Sequence, residues 1–305
     1  MIRKLFKKSS NKNQALRNIE KKLGISFDKI PEYIPIRNDA LKMIERFKTK
    51  YGWEGDLNLK ISKNDLMFLT SIWSVKYDEA FMAYLQTGLN ARNIITKLAA
   101  HKYGSTDNVE SMLDFASGYG RVTRFLVNDF NPEKIWVSDI KENGVQFQKE
   151  VFGVNGVNSS YVPEEFQPGR KFQVIFVGSL FSHLPDDLFN RWLSQLHSLL
   201  NENGLLIFSV LDLERHGSPD AEYFEYKMVS EDQAFSDVND SIKEISNYGM
   251  AYVSKKYMDD SLTKIEVQKD QFYVYKNSFG TIQDVYAVSK DSNTFNDSLD
   301  LSSYP

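Results

Sequence analysis

Five short strand-like runs, four of them apolar and the third weaker, are separated by amphipathic stretches over residues 111 to 210, and this alternation constrains the fold more than any other feature of the chain. The runs are "SMLDFA", "KIWVSDI", "GVNSSYV", "KFQVIFVGSL" and "LLIFSV". Between them lie "RVTRFLVNDF", "NGVQFQKEVFG" and "LPDDLFNRWLSQLHSLLNENG", which carry apolar residues near the helical period. Strand–helix alternation at this spacing predicts an α/β fold, a mostly parallel sheet with helices on both faces. "KFQVIFVGSL" is apolar almost throughout, as a strand covered on both sides must be. Two later runs, "QFYVYKN" and "QDVYAVSK", alternate like strands near a sheet edge and bring the expected sheet to seven strands.

Residues 1–105 predict a helical N-terminal cap. The stretch "RNDALKMIERFKTKYG" shows the helical period and ends in glycine. Residues 106–290 form the α/β domain, with a polar, aromatic-rich insertion at about 213–248. Residues 291–305 are rich in Ser, Asp and Asn and are expected to be disordered. The net charge of -4 argues against bulk attraction to nucleic acid. The absence of cysteine excludes disulfides, thiolate nucleophiles and cysteine-ligated metals. No His, Asp and Glu cluster has ligand spacing, so no metal is expected. No apolar run reaches the roughly 18 residues a membrane span needs, and a cytoplasmic protein is expected. The start, "MIRKLFKKSSNK", has no apolar h-region. Its Arg3, Lys4, Lys7 and Lys8 surround Ile2, Leu5 and Phe6. That pattern suits a weak contact with an anionic membrane surface, and equally a solvated terminus.

The stretch "MLDFASGYGRVTRFL" carries the chemistry. Its strand ends at Asp114, a run of small residues follows, and a helix opens at once. Ligands of parallel sheets bind outside the carboxyl ends of the strands. Small residues there let a ligand lie against the backbone, glycine supplies unusual φ values, and a helix start offers free N–H groups. A cofactor with a sugar or a charged group is therefore expected. The dinucleotide fingerprint would need a glycine where Thr123 stands. Neither a Walker loop nor a G-x-S-x-G nucleophile elbow is present.

The pattern Asp114-x-Ala116-x-Gly118-x-Gly120 resembles the first motif of class I S-adenosylmethionine-dependent methyltransferases, with Ala116 where the family usually has its first glycine. "FVGSLFSHLP", "LLNENGLLIFSV" and "FGTIQDVYAVSK" resemble later elements of the same family, in the same order. The resemblance implies a Rossmann-like sheet whose last strand is antiparallel. It implies S-adenosylmethionine as cofactor, S-adenosylhomocysteine as product, and no metal. It places Asp114, Ala116, Ser117, Gly118, Gly120 and Arg121 around the cofactor. Arg121 would meet the cofactor carboxylate or else cap the loop. Asp139, 19 residues after Gly120, would grip both ribose hydroxyls with its two acceptor oxygens. An acid here would serve a nicotinamide cofactor equally. Ile140 would contact the cofactor and Glu164 would lie by the adenine, although Pro163 and Glu164 also fit a surface turn. Gly178, Ser179 and Leu180 would border the cofactor.

Methyl transfer is an in-line displacement, for which positioning supplies much of the rate. A hydroxyl acceptor also needs a base. His183, in "FSHLP", is the first candidate, since histidine titrates near neutral pH. Its other reading is a loop histidine bonded to backbone. Asp212 is the second candidate, with a helix cap as its other reading, and His216 suits a solvated loop better. The aromatics Trp73, Tyr77, Phe81, Tyr84, Tyr223, Phe224 and Tyr226 would line an acceptor pocket or fill the core. The acceptor is expected to be a small molecule. Similarity to methyltransferases associated with bacterial glycans favours a sugar or glycolipid hydroxyl, with an amine as the alternative. Two readings compete: a cofactor-binding regulator or scaffold without catalysis, and a nicotinamide-dependent oxidoreductase, which Thr123 disfavours.

Overall fold

The computed structural model describes residues 17–18, 20–26, 29–34, 36, 38–228, 249–292, 295–296 and 298–301. The basic N-terminal segment and residues 229–248 of the insertion lie outside the described residues. The five expected strands form as β1 (Met112–Phe115), β2 (Ile135–Asp139), β3 (Asn155–Asn158), β4 (Phe172–Val177) and β5 (Leu200–Asp212). They lie parallel in the order β3-β2-β1-β4-β5. Chain order reverses at the β1/β4 pair, so the crevice beyond their carboxyl ends is the natural ligand site of this topology.

Among the described residues the sheet has nine strands rather than seven. The insertion supplies β6 (Phe224–Met228) and the segment directly after it supplies β7 (Gly249–Val253), the two paired antiparallel to each other. Strand β7 lies parallel to the last two residues of β5. The final strands, β8 (Phe272–Phe279) and β9 (Gln283–Ser289), pair as a hairpin, and β9 runs antiparallel to β5 as expected.

Helices α1 (Asn38–Tyr51), α2 (Leu66–Ser74) and α3 (Tyr77–Tyr103) precede the sheet. The α3 helix belongs to both parts of the molecule. Phe81, Tyr84 and Leu85 pack with Phe47 and Phe68 in the N-terminal core. Ile94, Ile95 and Leu98 pack on Met112, Val137 and Val174 of the sheet. An expected boundary at residue 105 therefore falls after a helix that joins the two cores. The helix expected over 121–130 shrinks to a single turn, α4 (Thr123–Leu126). Next come α5 (Glu142–Phe152), α6 (Asp186–Ser198), the turn α7 (Leu213–His216) and α8 (Lys255–Lys264). Phe189, Leu193 and Leu196 of α6 join Tyr257 and Met258 of α8 against the second sheet face. Every residue of β4 is buried, as a run apolar but for Gln173 requires.

The tail, expected to be disordered, packs onto the protein in its described residues. Phe295 and Leu301 are buried in the core beside α3, and the Phe295 ring lies 5.3 Å from that of His101. Two apolar side chains in a polar segment are enough to anchor it, and composition averages them away.

Gly88 marks where α3 crosses the chain just after the glycine loop. A Cβ there would stand 2.2 Å from the carbonyl oxygen of Arg121 and 2.7 Å from the Phe125 ring. Gly88→Ala is expected to lower stability by about 1–3 kcal/mol through overpacking. A thermal melt several degrees below that of the parent protein would bear this out, and an unchanged melt would contradict it.

Candidate functional site

A cleft of about 280 Å³ opens at the carboxyl ends of β1, β2 and β4. Its floor comes from Phe115, Ala116 and Gly118 after β1, Asp139 and Ile140 after β2, and Gly178–Leu180 after β4. Ser159, Ser160 and Tyr161 follow β3 on one side, and Leu184, Leu188 and Trp192 form an apolar wall. Asp65, Leu66, Met67 and Thr70, at the start of α2, close it from the N-terminal region.

The loop after β1 turns in a left-handed backbone. Gly118 has φ 58° and Gly120 φ 74°, while Ala116 adopts φ 57° despite its Cβ. An L-residue in this region costs about 1–2 kcal/mol. Glycine would relieve that cost but would gain freedom in the unfolded chain, worth about 0.4–1 kcal/mol. Ala116→Gly is therefore expected to leave stability unchanged or raise it by up to about 1.5 kcal/mol. A clear loss of melting temperature would show that the alanine methyl is needed for packing.

Asp139 is tied into the loop. One carboxylate oxygen accepts the Gly118 N–H at 2.8 Å and the other the Lys141 N–H at 2.9 Å. Desolvation raises its pKa, and those two N–H groups and the Lys141 charge oppose the rise. Each oxygen has more than one lone-pair site, so the carboxylate can still accept two hydroxyls from the cleft.

Beneath the loop sits a buried polar network. Thr123 Oγ1 lies 2.9 Å from Asp114 Oδ2 and 2.6 Å from Gln148 Oε1. One hydroxyl proton cannot serve both acceptors. Burial pushes Asp114 up to about 7, so a proton on Asp114 can donate to Thr123 while Thr123 donates to Gln148. The Gln148 amide donates to Ser117 Oγ and to the Gly118 carbonyl, which fixes the loop from below. Arg124 is fully buried. Its Nε donates to the Gly120 carbonyl at 3.1 Å, and Nη1 donates to the Asn58 carbonyl at 2.8 Å. The N-terminal region and the glycine loop thus share one cation.

Across the cleft, Ser179 also has a left-handed backbone, φ 62°. Its N–H donates to Ser209 Oγ at 2.8 Å, and its hydroxyl accepts from the Gln283 amide at 2.9 Å. Strands β5 and β9 so hold the loop after β4. His183 lies 2.9 Å, through Nδ1, from the Gly249 carbonyl. A carbonyl only accepts, so Nδ1 carries the proton and the ring's lone pair is on Nε2. Burial lowers the His183 pKa below the ordinary histidine value. The segment just after the insertion therefore reaches the site through the first residue of β7.

Of the residues singled out from sequence, the cleft brings together Ala116, Gly118, Arg121, Asp139, Ile140, Gly178, Ser179, Leu180 and His183. Asp114, Ser117 and Gly120 lie outside its lining. Asp114 and Ser117 support the loop from the network, and Gly120 packs so closely on Phe152 that a Cβ would stand 2.4 Å from the ring. Glu164 is also outside the lining, with its exposed carboxylate held by Arg191 at 2.8 Å, so it is a surface ion pair rather than an adenine contact. Asp212 caps α7 through the Arg215 N–H and pairs with the Arg215 side chain, away from the cleft. His216 lies by the Ile282 carbonyl. Tyr77, Phe81 and Tyr84 are core, Tyr223 and Phe224 pack on Tyr257, and none of these or Tyr226 lines the cleft. The Trp73 side chain lies outside the described residues.

Sequence reasoning missed Asp65, Lys141, Gln148 and Arg124. The signal for Asp65 was available, since an aspartate before "LMFLTSIW" is an N-cap signature. Gln148 and Arg124 had none, because a polar residue on a helix normally reads as solvated. Among the described residues, no group of His, Asp and Glu is arranged to hold a metal ion, and no helix is long and apolar enough to cross a membrane.

A family model described as a methyltransferase domain matches residues 84–246. No curated protein matches the chain. Among solved structures, the chain is similar to a 1,6-didemethyltoxoflavin-N1-methyltransferase from Burkholderia thailandensis, at 13% identity and a TM-score of 0.48, over 85% of this chain and 92% of that one. A magnesium protoporphyrin IX methyltransferase from Synechocystis gives 13% identity and a TM-score of 0.44, over 82% and 95%. An S-adenosylmethionine-dependent methyltransferase from Clostridium acetobutylicum gives 12% identity and 0.45, over 83% and 99%.

Proposed function

Because the chain belongs to the methyltransferase domain family, we propose that it transfers the methyl group of S-adenosylmethionine to a hydroxyl of a small molecule, and that the cleft at the β1/β4 crevice is its active site. The observation that carries this reading is the Asp139 carboxylate, held by two loop N–H groups and facing a cleft whose other wall holds His183.

Bound there, the sulfonium cofactor supplies an electrophilic methyl group. Asp139 accepts the two ribose hydroxyls. Ile140, Leu180 and Trp192 give the adenine an apolar slot. Gly118 leaves the loop backbone bare on the cofactor side. His183 is neutral, with Nδ1–H spent on the Gly249 carbonyl and the basic pair on Nε2. It takes the acceptor's proton as the new bond forms. An amine acceptor would need no such base, so a buried neutral histidine favours an alcohol.

A sugar or glycolipid hydroxyl is the acceptor we favour, supported by the resemblance of "LDFASGYGRVTRFL" and "FVGSLFSHLP" to methyltransferases associated with bacterial glycans. Incubation with methyl-labelled S-adenosylmethionine and matched panels of glycosides and amino sugars tests it. Label in the glycoside methyl ethers is the expected result, and label only on amines would overturn it.

A further inference from the structure

One end of the cleft carries two opposite charges that do not meet. Asp65 and Arg121 both line it, and among the described residues neither forms an ion pair. Both lie against Tyr84. The Tyr84 hydroxyl donates to Asp65 Oδ2 at 2.7 Å, and the Arg121 guanidinium stands 6.0 Å from the centre of the Tyr84 ring. The second Asp65 oxygen caps α2, accepting the Met67 and Phe68 N–H groups. Asp65 is only 3% exposed, yet it borders the cleft. Its Oδ2 keeps a lone-pair site beyond the one Tyr84 uses. Two fixed, opposite, unpaired charges at one end of a cleft complement a zwitterion. A phosphate would be repelled by the carboxylate.

Resting on the methyltransferase reading above, we propose that Asp65, delivered by the N-terminal helical region, binds the α-ammonium of the cofactor's amino-acid end, while Arg121 takes its α-carboxylate. The N-terminal region then completes the cofactor site instead of only covering the acceptor. Asp65 also selects for cofactors that carry the amino group. Two further cations lie near: Lys141, which lines the cleft and feels both Asp139 and Asp65, and buried Arg124, which donates to the Tyr84 hydroxyl at 3.2 Å and so neighbours Asp65 without pairing with it.

The test is calorimetric titration of the full chain with S-adenosylhomocysteine and with its analogue lacking the α-amino group. The intact protein is expected to prefer S-adenosylhomocysteine by roughly tenfold or more, the size of a hydrogen bond to a charged group. Asp65→Asn keeps an N-cap side chain and removes the charge. It is expected to lose that preference by weakening S-adenosylhomocysteine alone. Equal weakening of both ligands, or no preference in the intact protein, would overturn the inference. Asp65→Ser, also a good cap, repeats the comparison should the first variant fold poorly. Failure of the intact protein to bind S-adenosylhomocysteine would sink the methyltransferase reading itself, a distinct outcome.

Discussion

Asp139→Ala is expected to weaken S-adenosylhomocysteine binding by roughly 100-fold or more, since it removes two charge-assisted hydrogen bonds of about 1.5–3 kcal/mol each. The variant also frees the N–H groups of Gly118 and Lys141, which the carboxylate accepts in the folded protein. Water in the open cleft can replace those bonds, so the fold should survive with a stability loss of about 1–2 kcal/mol. Circular dichroism and a thermal melt separate the two effects. An affinity within threefold of the parent protein would remove Asp139 from the ribose site.

Replacing His183 with Gln is expected to cut turnover by about 10²–10⁴-fold, the usual contribution of a placed base. Cofactor affinity should stay nearly constant, because the glutamine amide still donates toward the Gly249 carbonyl and the adenosine contacts lie elsewhere. The pH dependence follows from the same group. Burial lowers the His183 pKa from its ordinary value of 6.5, so the neutral, basic form persists below that pH. Turnover should be flat through neutrality and fall tenfold per pH unit only below the lowered pKa. In the glutamine variant that acid limb should vanish. An unchanged rate and an unchanged acid limb would together exclude His183 as the base.

The parallel sheet was legible because β1, β2, β4 and the later part of β5 are mostly apolar stretches separated by helical ones, β4 most plainly, whereas β3 ("NGVN") carries a single large apolar residue. The glycine loop and Asp139 were legible because a backbone-lined ligand site needs small residues and an acid at fixed strand ends. What escaped sequence reading depends on contacts between distant segments. Arg124 looks like a helix-surface cation, yet it is buried because loop carbonyls at Asn58 and Gly120 converge on it. Glu164 sits after the third strand as an adenine contact would, but Arg191 holds it from α6. Asp212 ends β5 where a catalytic group is plausible, and its backbone position makes it a cap instead. The extra strands β6 and β7 were hidden because each is a short run, "FEYKM" and "GMAYV", and a long polar stretch of chain separates the two. Their placement matters, since the first residue of β7 fixes the His183 tautomer.

Calorimetric titration with S-adenosylhomocysteine, alongside NADH, tests most directly whether the cleft takes S-adenosylmethionine. Saturable binding of one S-adenosylhomocysteine per chain, with no heat from NADH, is the predicted result. Binding of NADH in preference, or no binding of S-adenosylhomocysteine, would contradict it.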